Sequence, residues 1–92
     1  LIVLGDVDPA AAAADAAYAC FSAAGQLCVS MERVFVVREV ADRFVPAFAE
    51  RVASLKLGTE LDYTADVGSL ATQAQLDRVM AHIDDAVAKG AT

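Results

Sequence analysis

The segment "FSAAGQLCVSMERVFVV", residues 21–37, joins an alanine-rich stretch to an apolar run and carries a cysteine between them. Gly25 is the residue type that most often follows a helix end, and residues 33–37 have the continuous β-branched apolar character of a buried strand. The pattern therefore predicts that Cys28 lies in a short connection between a helix and a strand. Residue types alone leave four roles open for this thiol: buried apolar filler, half of a disulfide, metal ligand or nucleophile.

Another buried strand is predicted at the start of the chain. Residues 1–4, "LIVL", form a short apolar run closed by Gly5, and we expect this strand to be buried on both faces. Asp8 followed by Pro9 predicts a helix start, because a carboxylate at the N-cap accepts from free backbone N–H groups and proline needs no donor at the first helical position. The helix is expected to run through the alanines to about Ala24.

An amphipathic helix is predicted downstream, from about Val40 to Lys56. Its apolar residues recur at helical spacing, which is typical of a helix that covers one face of a sheet. If this helix starts near Ala41, Pro46 removes one early backbone hydrogen bond and can bend the first turns. The apolar positions are Val40, Phe44, Val45, Phe48, Val52 and Leu55.

The last part of the chain is predicted to be a loop followed by a third helix. Residues 57–69 are rich in turn-forming residue types. Thr72 and Gln75 have the spacing of a capping box, and Lys89 followed by Gly90 is a typical helix end. The apolar stripe of this helix is formed by Leu76, Val79, Met80, Ile83 and Val87.

The predicted order is strand, helix, strand, helix, loop, helix, which indicates an α/β fold with a parallel sheet. Two strands are too few for a stable open sheet. The chain begins within a strand and ends where another strand would be expected. We therefore expect residues 1–92 to be part of a larger α/β domain.

Composition argues against several classes of partner. The 92 residues carry a formal net charge of −6 and their few basic residues are scattered, so neither nucleic acid nor an anionic membrane is expected to bind. No apolar run approaches the length of a membrane span, and the start of the chain does not resemble a signal peptide. We expect a cytoplasmic protein. The apolar share of 58% is high for so short a chain and predicts surface that a partner covers.

The two cysteines, Cys20 and Cys28, do not fit a disulfide framework or a zinc site. His82 is the only histidine and lies far from both in sequence, so no metal site is expected. A disulfide between them would tie the first helix to its own exit in what we expect to be a reducing compartment. Cys20 is expected to be a small apolar filler on the first helix, and the residue types alone favour the same interpretation for Cys28.

The stretch around Cys28 resembles the active-site signature of the aldehyde dehydrogenase superfamily. That signature has a Phe, then Gly-Gln, one further residue and the nucleophilic Cys, and it is matched by Phe21, Gly25, Gln26 and Cys28. One departure is Ala23, which stands where the family often has Asn and bears on the packing of the loop.

The resemblance extends over essentially the whole chain. "LIVLGDVDP" is similar to the strand and helix start that precede the signature, and residues 38–92 are similar to the segment that follows it, with a Lys-x-Gly turn and a Gly-x-Leu helix entry. Within the superfamily, "GQLCVS", the later "ER" and "DDAVAKGAT" are most similar to the succinate-semialdehyde dehydrogenases.

The resemblance implies that residues 1–92 are part of the three-layer catalytic domain of such an enzyme, with parallel strands covered by helices and the nucleotide-binding domain outside the chain. Cys28 would be the catalytic nucleophile that converts an aldehyde, with succinate semialdehyde as the first candidate, to the carboxylic acid through a thiohemiacetal and a thioester. NAD or NADP would be the cofactor of the full-length enzyme. No cofactor-binding residue is expected in the chain, which alone is expected to be inactive.

The neighbours of Cys28 receive supporting roles from the same resemblance. Ser22, Leu27 and Val29 would line the aldehyde tunnel, and ordinary loop packing is an equal alternative for them. Phe21, Gly25 and Gln26 would shape the loop that aims the thiol. His82 lies at the edge of its helix stripe or in solvent and is not expected to act as a base.

Two other classes remain open. The chain could be a non-catalytic α/β assembly module with inert cysteines, or a thiol-based redox sensor, which would need a resolving cysteine near Cys28. The expected partners of the enzyme are the rest of its own chain, a small aldehyde and further copies of itself. Strands with uncovered apolar faces predict that the isolated chain self-associates.

Overall fold

The computed structural model describes residues 1–92 and contains a small parallel sheet and three α-helices. The two strands pair in parallel, with Ile2 opposite Phe35 and Val3 opposite Val36. The predicted α/β order and parallel pairing are confirmed. The elements are β1 (Ile2–Val3), α1 (Pro9–Phe21), β2 (Phe35–Val36), α2 (Arg38–Ala53) and α3 (Gln73–Ala88).

The core lies where α1 and α2 pack on each other and on the sheet. Because α1 contributes alanines, its backbone approaches α2 closely, and Ala16 is completely buried. Phe44 of α2 fills the space between the elements and stacks on Phe48 with a centroid distance of 5.6 Å. The buried cluster consists of Val3, Ala13, Ala16, Val40 and Phe44.

Only one face of the sheet is covered in this chain. Val3 is 4% exposed and points toward the helices, whereas its neighbour Ile2 is 68% exposed and Phe35, opposite Ile2, is 62% exposed. Within these 92 residues the strands therefore have one buried face and one uncovered face, as expected for a chain with too few helices and strands to cover both. The reason is that α1 and α2 contribute to one cluster on the Val3 side, and no element of the chain lies over the other face.

The first helix begins as predicted and ends earlier than predicted. The Asp8 carboxylate caps it by accepting a hydrogen bond from the Ala10 N–H at 3.0 Å. The helix stops at Phe21 instead of Ala24, because Ala23 and Ala24 have left-handed backbone conformations with φ of 51° and 56°. The segment Ser22–Gly25 is called the left-handed turn below.

The second helix runs from Arg38 to Ala53, so it begins and ends earlier than the predicted range of about Val40 to Lys56. Pro46 therefore lies in its interior, and the helix continues through it without the N–H that proline lacks.

The third helix begins after its predicted cap Thr72, but only one of the two predicted capping-box bonds forms, and the helix packs against little. Thr72 Oγ1 accepts a hydrogen bond from the Gln75 N–H at 3.2 Å, and α3 has no buried residue. Its apolar stripe is thus exposed in this chain. None of the three helices is both long enough and apolar enough to cross a membrane.

Candidate functional site

Cys28 lies in the middle of a tight turn on the surface. The Ser30 N–H donates to the Leu27 carbonyl oxygen at 3.0 Å and closes a turn in which Cys28 and Val29 are the central residues. The thiol is exposed, and the N–H of Cys28 takes no part in the hydrogen bonds of the chain. This segment, Leu27–Ser30, is called the cysteine turn below. Its geometry leaves both the sulfur and an adjacent backbone donor open to a ligand.

The left-handed turn connects the end of α1 to the cysteine turn and sets the direction of the backbone between them. Ala23, Ala24 and Gly25 all have positive φ, the last at 71°, and a Cβ on Gly25 would lie 3.5 Å from the Cys20 carbonyl oxygen. Only glycine adopts this conformation freely, and each alanine carries about 1–2 kcal/mol of strain. Gly25 therefore has the residue type that this left-handed conformation favours, and its role in directing the thiol stays a prediction.

The exit of the cysteine turn is also attached to α1. The Met31 N–H donates to the Ala19 carbonyl oxygen at 3.1 Å. The thiol is therefore held at the C-terminal end of α1 from both sides.

Gln26 links the cysteine turn to a distant segment. Its side-chain Nε2 donates to the carbonyl oxygens of Ala23 at 3.0 Å and Ser69 at 3.3 Å. Its Oε1 accepts from the Ala71 N–H at 2.9 Å. Ser69 and Leu70 belong to the Gly-x-Leu helix entry that precedes α3, and no contact with Gln26 was expected there. No local sequence signal indicates a contact across 45 residues.

The residues expected to line an aldehyde tunnel divide into two groups. Leu27 and Val29, the neighbours of Cys28 in sequence, are both exposed. Ser22 is half-buried, and its hydroxyl donates to the Tyr18 carbonyl oxygen at 2.6 Å. Leu27 and Val29 thus flank Cys28 by sequence alone, whereas Ser22 lies at the C-terminal end of α1.

A cavity of about 280 Å³ opens beside Ser22. Phe21 also lines it, with its ring 6.3 Å from that of Phe48. Cys28 does not line this cavity. The opposite wall comes from the end of α2, where Arg51 donates to the Ser54 hydroxyl at 3.1 Å. The spacing of residues in sequence did not indicate this wall.

The other cysteine and the single histidine were also singled out from the sequence. Cys20 is half-buried on α1, in agreement with the filler role, and both cysteines are free. His82 is exposed on α3. No three His, Cys, Asp or Glu side chains come together as a metal site would require.

Dinucleotide phosphates do not fit the helix starts of this chain. Such phosphates bind at a helix N-terminus that follows closely spaced glycines. The first turn of α1 is already capped by the Asp8 carboxylate, which repels an anion, and α3 is capped by the Thr72 hydroxyl. The start of α2 has no side-chain cap and is not preceded by closely spaced glycines.

Comparison with known proteins assigns the chain to a family. The model of the aldehyde dehydrogenase family matches residues 1–92. The chain belongs to the aldehyde dehydrogenase family. The resemblance found around Cys28 is thereby confirmed at the level of the family.

Curated aldehyde dehydrogenase relatives share about half of the sequence. A Mycolicibacterium smegmatis protein named "putative succinate-semialdehyde dehydrogenase, NADP(+)" is 54% identical over 81 residues, which are 88% of this chain and 16% of the relative. The vanillin dehydrogenase of Pseudomonas fluorescens is 44% identical over 91 residues, or 99% of this chain and 19% of the relative.

Solved aldehyde dehydrogenases contain the same backbone arrangement. An indole-3-acetaldehyde dehydrogenase in complex with NAD+ matches 97% of this chain with a TM-score of 0.89 and 34% identity. A cysteine-to-alanine variant of aldehyde dehydrogenase C from Pseudomonas syringae, in complex with NAD+ and octanal, matches 97% of the chain with a TM-score of 0.88 and 27% identity. The chain covers 18% of each of these structures. It thus spans less than a fifth of the length of the relatives and structures named here.

Proposed function

We propose that the protein containing this chain oxidises an aldehyde to the carboxylic acid with NAD or NADP, and that Cys28 is its nucleophile. The observation that carries the proposal is the exposed thiol at the centre of the cysteine turn, in the Gly-Gln-x-Cys order of the family. The octanal complex named above, which was solved with a cysteine variant, supports a cysteine-dependent reaction.

Cys28 contributes the covalent step. Its thiolate adds to the aldehyde carbon, forming a C–S bond while the carbonyl π electrons move to oxygen as an oxyanion. The N–H of Cys28 has no acceptor in the chain, and we propose that it donates to that oxyanion. Loss of hydride from the same carbon restores the C=O bond and leaves a thioester, and water then adds and releases the acid and the thiolate. NAD or NADP supplies the hydride acceptor from outside the chain.

The first candidate substrate is succinate semialdehyde, the aldehyde in the name of the Mycolicibacterium smegmatis relative. The vanillin dehydrogenase relative shows that this segment also occurs in a protein named for an aromatic aldehyde. Ser22, Leu27 and Val29 are all uncharged, so these three proposed lining positions supply no cation for a succinate carboxylate. That cation must then come from other residues of the protein.

The test compares the two cysteines in the full-length protein, with succinate semialdehyde and vanillin as substrates. Cys28→Ala is expected to lower kcat/KM by at least about 10³-fold, because the covalent route is lost, while dinucleotide affinity changes by less than about twofold. Cys20→Ala is the matched control and is expected to retain turnover. Turnover by Cys28→Ala near the wild-type rate would end the proposal and favour an assembly module with inert cysteines.

We also propose that the protein associates with copies of itself and works in the cytosol. A reducing compartment keeps Cys28 as the free thiol that the reaction needs. The uncovered sheet face, with Ile2 and Phe35, supports association of the isolated chain because pairing removes these side chains from water. Sedimentation of residues 1–92 across a tenfold dilution is expected to show concentration-dependent assembly. A folded monomer at every concentration would contradict this.

A further inference from the structure

We propose that the segment Ser69–Ala71 positions the catalytic thiol, and that it acts through the Gln26 carboxamide. This inference rests on the proposed nucleophilic role of Cys28. It gives a function to a segment 45 residues away from Gln26 in sequence. Gln26 is here a positioning residue, since its carboxamide bonds to backbone groups and not to the thiol.

The carboxamide of Gln26 uses both of its ends. The oxygen accepts from the Ala71 N–H at 2.9 Å, and the nitrogen donates to the Ser69 carbonyl at 3.3 Å. The same nitrogen donates to the Ala23 carbonyl at 3.0 Å. One side chain thereby connects the left-handed turn, the cysteine turn and the entry to α3.

Hydrogen bonds are the main interactions that hold the cysteine turn in position. Leu27, Cys28 and Val29 are exposed, so apolar packing does not fix the turn that holds the thiol. The preceding left-handed turn contains two strained alanines, which favour a return to ordinary backbone conformations. The Gln26 bonds oppose that return on one side of Cys28, and the Met31 to Ala19 bond does so on the other.

The three hydrogen bonds of this side chain require an amide at position 26. A side chain that bonds to one backbone N–H and to two backbone carbonyls must accept and donate at once, as a carboxamide does and a thioether does not. The partners at Ser69 and Ala71 are backbone groups, so substitutions there that keep the backbone intact leave the contacts in place. Ala71→Ser is therefore expected to be silent, whereas Gln26→Met is not.

The experiment compares Gln26→Met with Gln73→Met in the full-length protein. Gln73 is the matched control because its amide bonds only to Asp77 of its own helix, at 2.8 Å. Gln26→Met is expected to lower kcat about 10- to 100-fold, as small misplacements of a reacting group do, and to slow alkylation of Cys28 by iodoacetamide. The KM for the dinucleotide is expected to stay within about twofold, because the cofactor is anchored elsewhere.

A measurement on the wild-type protein keeps the inference testable if Gln26→Met does not fold. The Ala71 N–H is bonded to Gln26, whereas the neighbouring Leu70 N–H has no acceptor in the chain. Hydrogen exchange is expected to be at least about tenfold slower at Ala71 than at Leu70. Equal exchange at the two amides would overturn the inference.

The kinetic outcomes separate this inference from the proposed function. If Gln26→Met retains kcat within about twofold of Gln73→Met while Cys28→Ala is inactive, the positioning role is wrong and the nucleophile stands. If Cys28→Ala remains active, the proposed function itself fails.

Discussion

On the packed side of the molecule, where α1 and α2 lie over the sheet, Val3, Ala16 and Phe44 are almost completely removed from water. On the cysteine side, Leu27 and Val29 are exposed, and hydrogen bonds from Gln26 and Met31 hold the backbone in place. The two sides are next to each other, since α1 belongs to the first and ends at the second.

The difference shows how a small chain can combine a fixed scaffold with an accessible thiol. Close packing would bury Cys28 and exclude a substrate, whereas a turn held by directional hydrogen bonds keeps the sulfur at the surface with a defined orientation. The cysteine turn is attached to the packed core through α1, because the Ala19 carbonyl oxygen near the end of this helix accepts a hydrogen bond from the Met31 N–H.

The largest effect on stability is expected from removing a core side chain. Phe44 is 2% exposed and its neighbour Val45 is 57% exposed. Phe44→Ala is expected to cost about 3 kcal/mol of unfolding free energy, because it removes buried area and leaves a cavity. Val45→Ala is expected to cost less than about 0.5 kcal/mol. Urea unfolding of the full-length protein measures both, and equal costs would show that the packed side has been misplaced.

A smaller effect of opposite sign is expected in the left-handed turn. Ala23→Gly is expected to stabilise the protein by about 0.5 kcal/mol, because relief of the left-handed strain exceeds the entropy that glycine adds to the unfolded chain. Ala14→Gly, on the exposed face of α1, is expected to destabilise it by about 1 kcal/mol. Both shifts are measured by the same urea titration, and loss of stability in Ala23→Gly would contradict the positive φ.

The smallest effect concerns a carboxylate on the loop between α2 and α3. Hydrogen bonds from the Thr64 hydroxyl and N–H hold the pKa of Asp62 below its usual value. A lowered pKa in the folded state adds stability above the unfolded pKa that is lost as the pH falls through the folded value. Asp62 is fully exposed, so this contribution is slight. Thr64→Ala is expected to raise the pKa of Asp62 in an NMR titration, and an unchanged pKa would exclude the hydroxyl bond.

The parts of the fold that carry local signals were predictable from sequence. Asp8 with Pro9 indicated the start of α1, and Thr72 with Gln75 indicated the start of α3. The end of α1 was not predictable, because alanine favours helices and nothing local shows that Ala23 takes a left-handed conformation. The exposure of Ile2 agrees with the expectation that so few elements leave a strand face uncovered, since residue type reports a preference for burial and not the presence of a covering element.

The candidate site was predictable in part. Cys28 was predicted to be the nucleophile because the stretch around it resembles a family signature. Helical and strand periodicity predicted only that it lies in the connection between a helix and a strand. The contact between Ala71 and Gln26 could not be predicted, because it depends on a tertiary structure that brings together two residues 45 positions apart in sequence. Leu27 and Val29 were expected beside the thiol and lie there, but the lining of an aldehyde tunnel remains a prediction.

We propose that the cysteine turn presents Cys28 for covalent attack on an aldehyde. Trapping the resulting thioester shows directly whether Cys28 carries the acyl group. The full-length protein is mixed with NADP and succinate semialdehyde, quenched in acid within one turnover, digested and analysed by mass spectrometry. No Lys or Arg precedes Arg33 in residues 1–92, so trypsin leaves Cys20 and Cys28 in one peptide and fragment ions must locate the acyl group. The mass of a succinyl group, bound as a thioester, is expected on Cys28 alone. An acyl group on Cys20, or steady turnover with neither cysteine modified, would contradict it.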